Sequence, residues 1–337
     1  MKILFYLPFE NTVGADRWIY EGWRSGFINN GHIFDIVTVF ENLLEKTLKC
    51  KPDILFITNF IDLNIYGNDL KTIKNKGIKV FLVVDWPLKD NWAEIIKNND
   101  LADVYFGERE PESMIEFEKN TRRKYILIPN AADKVIHFPV NPVNKYKYDI
   151  VYLGAYLPKK KKMFEEILFP LIKKYNVGLF GPCWTIKDNV LRAIQKVARK
   201  IHLKHISEAV NKMRITIPIE EERALYSSAK ICLNFHEREE DGSQPHYIVN
   251  QRTYKIAACG GFQICDYVPA IRKYFSEDEV VMANDPDDWF KKIDYYFNNE
   301  TERSRIKNNA AKTAENMHTY RNRVLQVIEI YNGLKKG

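Results

Sequence analysis

The stretch His236–Phe275 (HEREEDGSQPHYIVNQRTYKIAACGGFQICDYVPAIRKYF) gathers the side chains best suited to chemistry. It reads as a polar loop, a helix, a Cys-Gly-Gly stop, a short strand and the start of a second helix. The helix opens near Ile248 or Asn250, where unpaired N–H groups and the positive dipole end favour an anion, a phosphate above all. Arg252 and Lys255 lie three apart and share one face of that helix. A solvated face closed by a glycine cap fits the same residues, so both readings stay open. His236 and Glu237 end a buried strand, with Glu239, Glu240 and Asp241 close behind; a catalytic His236 competes with a hydrogen-bonded structural one. Nearer the N-terminus, Asp85 follows the apolar run Ile78–Val84, and Asp16 follows Gly14 at the first strand-to-helix turn. Either carboxylate could orient a hydroxyl or act as a base, although Asp16 suits a helix N-cap better. Asp285 and Asp287 have the spacing of a metal-holding pair. With Pro286 between them and Asp288 after, they read instead as a helix cap, and no metal site is expected.

These residues must be positioned by alternating strands and helices. Strands are expected at Ile3–Leu7, Ile33–Val39, Asp53–Thr58, Ile78–Val84, Val104–Phe106 and Tyr125–Ile128, with helices between them. Runs rich in Val, Ile and Phe, separated by helices, indicate a parallel sheet covered on both faces. The segment Phe138–Asn144 (FPVNPVN) breaks the pattern and suits a linker. The alternation then restarts: strands at Asp149–Gly154, Val177–Phe180, Lys230–Phe235, Phe262–Cys265 and Val280–Met282. Helices are expected at Lys161–Lys174, Val249–Cys259, Asp287–Phe297, Thr301–Asn316 and Tyr320–Leu334. The expected fold is α/β, two Rossmann-like doubly wound domains facing across a cleft, where open sheets bind ligands. The boundaries are 1–142, 143–318 and a closing helix at 319–337 that returns to the N-terminal domain.

Composition narrows the class. A chain of 337 residues has room for about two domains, and 45% hydrophobic with 28% charged residues excludes a disordered chain. Apolar runs are strand-sized, far below the roughly 20 residues of a membrane span, and MKILFYLPFEN reads as a first strand rather than a signal peptide. Five cysteines without a CxxC pair argue against a zinc site or disulfide framework, so a reducing cytoplasm is expected. The net charge of +7 is concentrated: Lys187–Arg214 holds eight Lys and Arg against Asp188 and Glu208, a local +6. Val190, Ile194, Val197 and Ile201 share one side there, with Arg192, Lys196, Arg199 and Lys200 on another. This basic amphipathic segment, broken near His202–His205, could meet anionic lipid, a polyanion or only water and the core.

Several ordered blocks carry a family resemblance: KYDIVYLGAY, SSAKICLNFHE, RTYKIAACGGFQICDYVPAIRKYF, acidic EDEVV, DPDDWFKKIDYYFNNETERSRI and HTYRNRV. Residues 148–325 thereby resemble the CgeB-type (spore-maturation-like) branch of group 1 glycosyltransferases. The resemblance implies the GT-B fold and a nucleotide-diphosphate sugar as donor, bound by the C-terminal domain. It implies no obligatory metal or further cofactor, and retention of anomeric configuration. The donor site would comprise Gly154, Asn250 and Arg252, with Lys161 or Lys162 from the run Lys159–Lys162 on the diphosphate. Glu237 stands near where related enzymes bring a glutamate to the donor sugar. Lys255 departs from the pattern, standing where a glutamate is expected to accept hydrogen bonds from ribose, which an ammonium cannot do. The implied activity is sugar transfer to protein, surface polysaccharide or a lipid-linked glycan. A sugar-nucleotide epimerase, a nucleic-acid-base glycosyltransferase and a non-catalytic nucleotide-sugar-binding protein are the alternatives. A location at the cytoplasmic membrane surface, through residues 187–214, goes with these expectations.

Overall fold

The computed structural model describes every residue except 10–13, 59–60, 90, 239–246 and 337; at 16 and 18 it describes the backbone alone. The chain divides into two units: residues 1–10, 20–130 and 320–337, and residues 11–19 and 131–319.

The first unit is built on β1 (Lys2–Tyr6), β2 (Ile33–Val37), β3 (Ile54–Ile57), β4 (Lys79–Val83), β5 (Val104–Gly107) and β6 (Tyr125–Leu127). All pairings are parallel, in the order β2-β1-β3-β4-β5-β6. Because side chains alternate along a strand, the apolar runs supply two cores. Leu4, Tyr6, Leu55, Ile57, Val80 and Leu82 pack on one face with residues of helices Leu43–Cys50 and Leu63–Asn75. On the other face Phe56 stacks against Phe5 at 5.0 Å between centroids and meets Trp23 and Phe106 at 4.9 Å. Helix Tyr320–Leu334 belongs to this unit and brings Tyr320 against Trp23.

The second unit holds β7 (Ile150–Leu153), β8 (Val177–Phe180), β9 (Ile231–Asn234), β10 (Gln263–Asp266) and β11 (Val281–Ala283), parallel and ordered β11-β10-β9-β7-β8. From β7 the chain goes to β8 on one side, then returns to β9 on the other. The carboxyl ends of β7 and β9 therefore flank a topological switch point, the place where such sheets leave a crevice.

Two local expectations meet the structure differently. The helix expected at Lys161–Lys174 is interrupted, with a π turn over Phe164–Leu168 in which Phe169 N–H donates to the Phe164 carbonyl. Pro170 explains it: without an N–H, and with its ring against the preceding turn, it cannot continue a regular helix. Asp285 caps helix Pro286–Asn298, its carboxylate accepting from Asp288 N at 2.9 Å. No described helix is long and apolar enough to cross a membrane.

Candidate active site

A cavity of about 330 Å³ lies at the switch point of the second unit, and every lining residue belongs to that unit. Its walls are the segments that leave the strands at their carboxyl ends. Leu153–Ala155, Leu157 and Lys160 follow β7; Gly181 and Pro182 follow β8; Glu237 follows β9; Asn250, Gln251, Arg252 and Lys255 open the next helix. Arg17 and Arg214 add two further guanidinium groups.

Two glycines bring the β7 and β8 segments together. Gly181 has φ of +118°, and a Cβ there would lie 2.4 Å from the Gly154 carbonyl oxygen. At Gly154 a Cβ would lie 2.6 Å from both Arg252 Nη2 and Tyr152 Oη. Gly154 is thus the floor over which the Arg252 guanidinium passes. That guanidinium rests 5.1 Å from the Tyr152 ring centroid. Arg252 Nη1 donates to Asn234 Oδ1 at 3.1 Å and to the Phe235 carbonyl at 3.4 Å.

Asn234 organises this corner. Wholly buried at the end of β9, its Oδ1 also accepts from Asn250 Nδ2 at 2.9 Å, and its Nδ2 donates to Thr253 Oγ1 at 2.9 Å. Asn250 in turn caps helix Gln251–Ala258 by accepting from Thr253 N at 3.1 Å. The helix start and the arginine on it are locked to the sheet by one polar network.

Of the run Lys159–Lys162, it is Lys160, not the expected Lys161 or Lys162, that lines the cavity. Of the lysine run, Lys161 and Lys162 point into solvent and pair along their own helix with Glu165 at 3.5 Å and Glu166 at 3.8 Å, while neither lines the cavity. The turn Pro158–Lys160 places Lys160 inward instead, 6% exposed. Burial, reinforced by the nearby Arg252 charge and opposed by Glu237 and Asp266, pulls its ammonium down to about 7. Among the described residues neither Lys160 nor Arg252 has an ion-pair partner. The charges of Lys160 and Arg252 oppose one another in this cavity, and an anion bound beside both would relieve that repulsion.

Lys255 lines the same cavity at its inner end but is neutralised. Its Nζ lies 2.6 Å from Glu222 Oε1, and Glu222 meets His137 Nε2 at 3.3 Å, both acid and imidazole fully buried. Burial alone would raise the Glu222 carboxyl; Lys255, then His137, hold it down at about 2. The sequence offered no sign of Glu222, which reaches Lys255 only through tertiary packing.

His236 forms a buried pair with Asp266, whose Oδ1 accepts from His236 N at 2.9 Å and faces Nδ1 at 3.2 Å. The imidazole charge and these contacts keep Asp266 below the usual carboxylate range against its burial. His236 Nε2 is buried without a hydrogen-bond partner among the described residues, and His236 does not line the cavity, whereas exposed Glu237 does. Glu239, Glu240 and Asp241 lie outside the described residues, as does the Asp16 side chain. Asp85 stands in the first unit after β4, paired with Arg109, and lines a small cavity of about 120 Å³ there. Among the described residues no three His, Cys, Asp or Glu side chains gather as a metal site.

Residues 162–329 match the family model described as "Glycosyl transferase-like". The chain carries a glycosyltransferase family domain. It is therefore an enzyme of the glycosyltransferase class. No curated protein matches it in sequence. Solved structures agree over nearly the whole length. An alpha-glucosyltransferase in complex with UDP has a TM-score of 0.68 at 14% identity, covering 98% of this chain and 100% of its own. Sucrose-phosphate synthase from Thermosynechococcus elongatus has a TM-score of 0.65 at 12% identity, covering 100% and 99%. Anabaena HepE in complex with UDP and glucose has a TM-score of 0.64 at 11% identity, covering 99% and 100%. The glycosyltransferase has the GT-B fold of these neighbours.

Proposed function

We propose that this glycosyltransferase binds a nucleoside-diphosphate sugar in the second-unit cavity and transfers the sugar, with retention and without a metal, to an acceptor hydroxyl. The single observation that carries the reading is the pair Lys160 and Arg252, two basic groups without a carboxylate partner among the described residues, converging with a helix N-terminus on one cavity. When the bond between the anomeric carbon and the diphosphate oxygen breaks, the electron pair stays on that oxygen. Lys160 and Arg252 stabilise the resulting charge from fixed positions, with Asn234 and Tyr152 preventing Arg252 from swinging away. Glu237 faces the sugar end of the cavity, and Gly154 keeps the phosphate floor open. Asn250 holds the helix terminus in line.

The solved complexes support this donor class: the alpha-glucosyltransferase neighbour is in complex with UDP and HepE with UDP and glucose. The ordered sequence blocks support the CgeB-type branch. The acceptor belongs to the class of protein, surface polysaccharide or lipid-linked glycan. Incubation with a panel of nucleotide sugars and mixed glycan acceptors, with chelator present, tests the reading. Acceptor-dependent release of nucleoside diphosphate is expected. Turnover that vanishes with chelator and returns with manganese, or conversion of the sugar with no acceptor present, contradicts it.

A further inference from the structure

The helices Ile186–Lys200 and Lys204–Arg214 are built inside out. Helices on a soluble protein bury an apolar stripe and expose a polar one. Here the buried residues of the pair are Gln195, Ala198, Ser207, Val210, Asn211 and Arg214, four of the six polar. Gln195 Nε2 lies 3.3 Å from both Asn211 Oδ1 and the Ser207 carbonyl; Arg214 donates to Gln195 Oε1 at 2.7 Å and to Asp188 Oδ1 at 2.8 Å. With this polar seam inward, the aliphatic residues point out. Ile186 is 84% exposed, Val190 55%, Ile194 45%, Val197 59% and Ile201 56%. Their spacing of four, four, three and four places them in a single stripe along four turns. Of the alternatives open for this segment, packing of the aliphatic stripe on the core does not occur: the helix turns Gln195 and Ala198 inward and presents the stripe's methyl groups to the outside. The second helix adds exposed Ile206 and Met213, one heptad apart.

We propose that this hairpin is a docking surface for an anionic lipid bilayer, lying flat with the Ile186–Ile201 stripe inserted among the acyl chains. Charge selects the occupant. On a helical projection Lys187 borders the stripe on one side, and Lys196 and Lys200 border it on the other, as lysines do when their stems follow a buried apolar face and their ammonium groups reach phosphate. The segment nets +6, so two copies of this face would repel one another. A nucleic acid would be served by the cations, yet gives five aliphatic side chains nothing to enter, and the stripe has no aromatic residue for bases to stack on. A bilayer with negative headgroups satisfies both the stripe and its flanks.

Flotation of the full chain with vesicles tests this without nucleotide or turnover, so its outcome is independent of the transferase reading. The protein should float with vesicles of equal phosphatidylcholine and phosphatidylglycerol and stay down with phosphatidylcholine alone. Val190→Ser, Ile194→Ser and Val197→Ser together should weaken binding by about tenfold or more, with an unchanged thermal midpoint because all three are exposed. Lys196→Glu with Lys200→Glu should weaken it by at least as much. The proposal is overturned if the wild type stays with the soluble fraction beside the mixed vesicles, or if the serine variant binds as tightly as wild type. Sedimentation showing a dimer that the serine substitutions dissolve, or DNA binding that they abolish, would equally overturn it.

Discussion

Replacing Lys160 by Met removes an ammonium while keeping a flexible apolar chain in its place, and the structure fixes what this should do. A charge-assisted hydrogen bond to phosphate is worth about 2 kcal/mol, or about 30-fold in Kd. That loss applies where Lys160 is charged, and in the empty cavity it titrates at about 7. The same 2 kcal/mol raises the lysine by about 1.5 units in the complex, to about 8.5. Wild-type affinity for a nucleotide sugar should therefore fall about 20-fold between about pH 6 and about pH 9, while Lys160→Met stays flat and the two converge at the alkaline end. A nucleotide sugar is the right ligand because its diester diphosphate does not titrate across this range. Titration calorimetry at constant ionic strength reads the Kd values. Stability moves with the same group: its folded value lies below 10.5, so the empty folded form binds fewer protons, and wild-type stability should rise between pH 7 and 10.5. Lys160→Met loses that slope. A pH-independent wild-type Kd, or an equal loss in the variant at every pH, refutes the assignment.

Four further outcomes follow from the same geometry. Arg252→Ala should weaken nucleoside diphosphate binding by about 10- to 100-fold and nucleoside binding far less; equal losses in calorimetry contradict a diphosphate role. Glu222→Gln leaves Lys255 and His137 in a dry site without their anion and should cost about 3–5 kcal/mol in urea unfolding, with Glu222→Leu plus Lys255→Met recovering most of it. Because Glu222 is held at about 2, its contribution is complete above the unfolded carboxylate range and disappears as pH falls from about 4.5 toward 2; acid unfolding that ignores the substitution contradicts the pairing. Gly154→Ala should press on both Arg252 and the buried Tyr152 ring, lowering nucleotide affinity about tenfold and costing about 1–3 kcal/mol of stability. Gly181→Ala, strained at positive φ and against the Gly154 carbonyl, should lower the midpoint itself.

Periodicity made most of the elements legible. Val177–Phe180 and Tyr320–Leu334 appear with the expected bounds, and the basic segment breaks between Lys200 and Lys204, at the start of the His202–His205 stretch expected to interrupt it. Arg252, Asn250 and Gly154, which the resemblance grouped, line one cavity. What stayed hidden depends on three-dimensional neighbours. Lys160 differs from Lys161 and Lys162 only because Pro158 opens a tight turn before the helix. Asn234 looked like one polar residue in an apolar strand, and that oddity was the available signal. Glu222 stands 33 positions before Lys255 with no pattern linking them. The Val190–Ile201 stripe was visible as a periodicity, but periodicity does not say which face turns inward; the buried polar seam decided it.

The central claim is that Lys160 and Arg252 grip the donor's diphosphate. A crystal structure of the protein with a bound nucleotide sugar tests it most directly. Phosphate oxygens within hydrogen-bond distance of both Lys160 Nζ and the Arg252 guanidinium are expected, above Gly154. A well-ordered nucleotide sugar whose diphosphate lies away from both side chains would contradict the account.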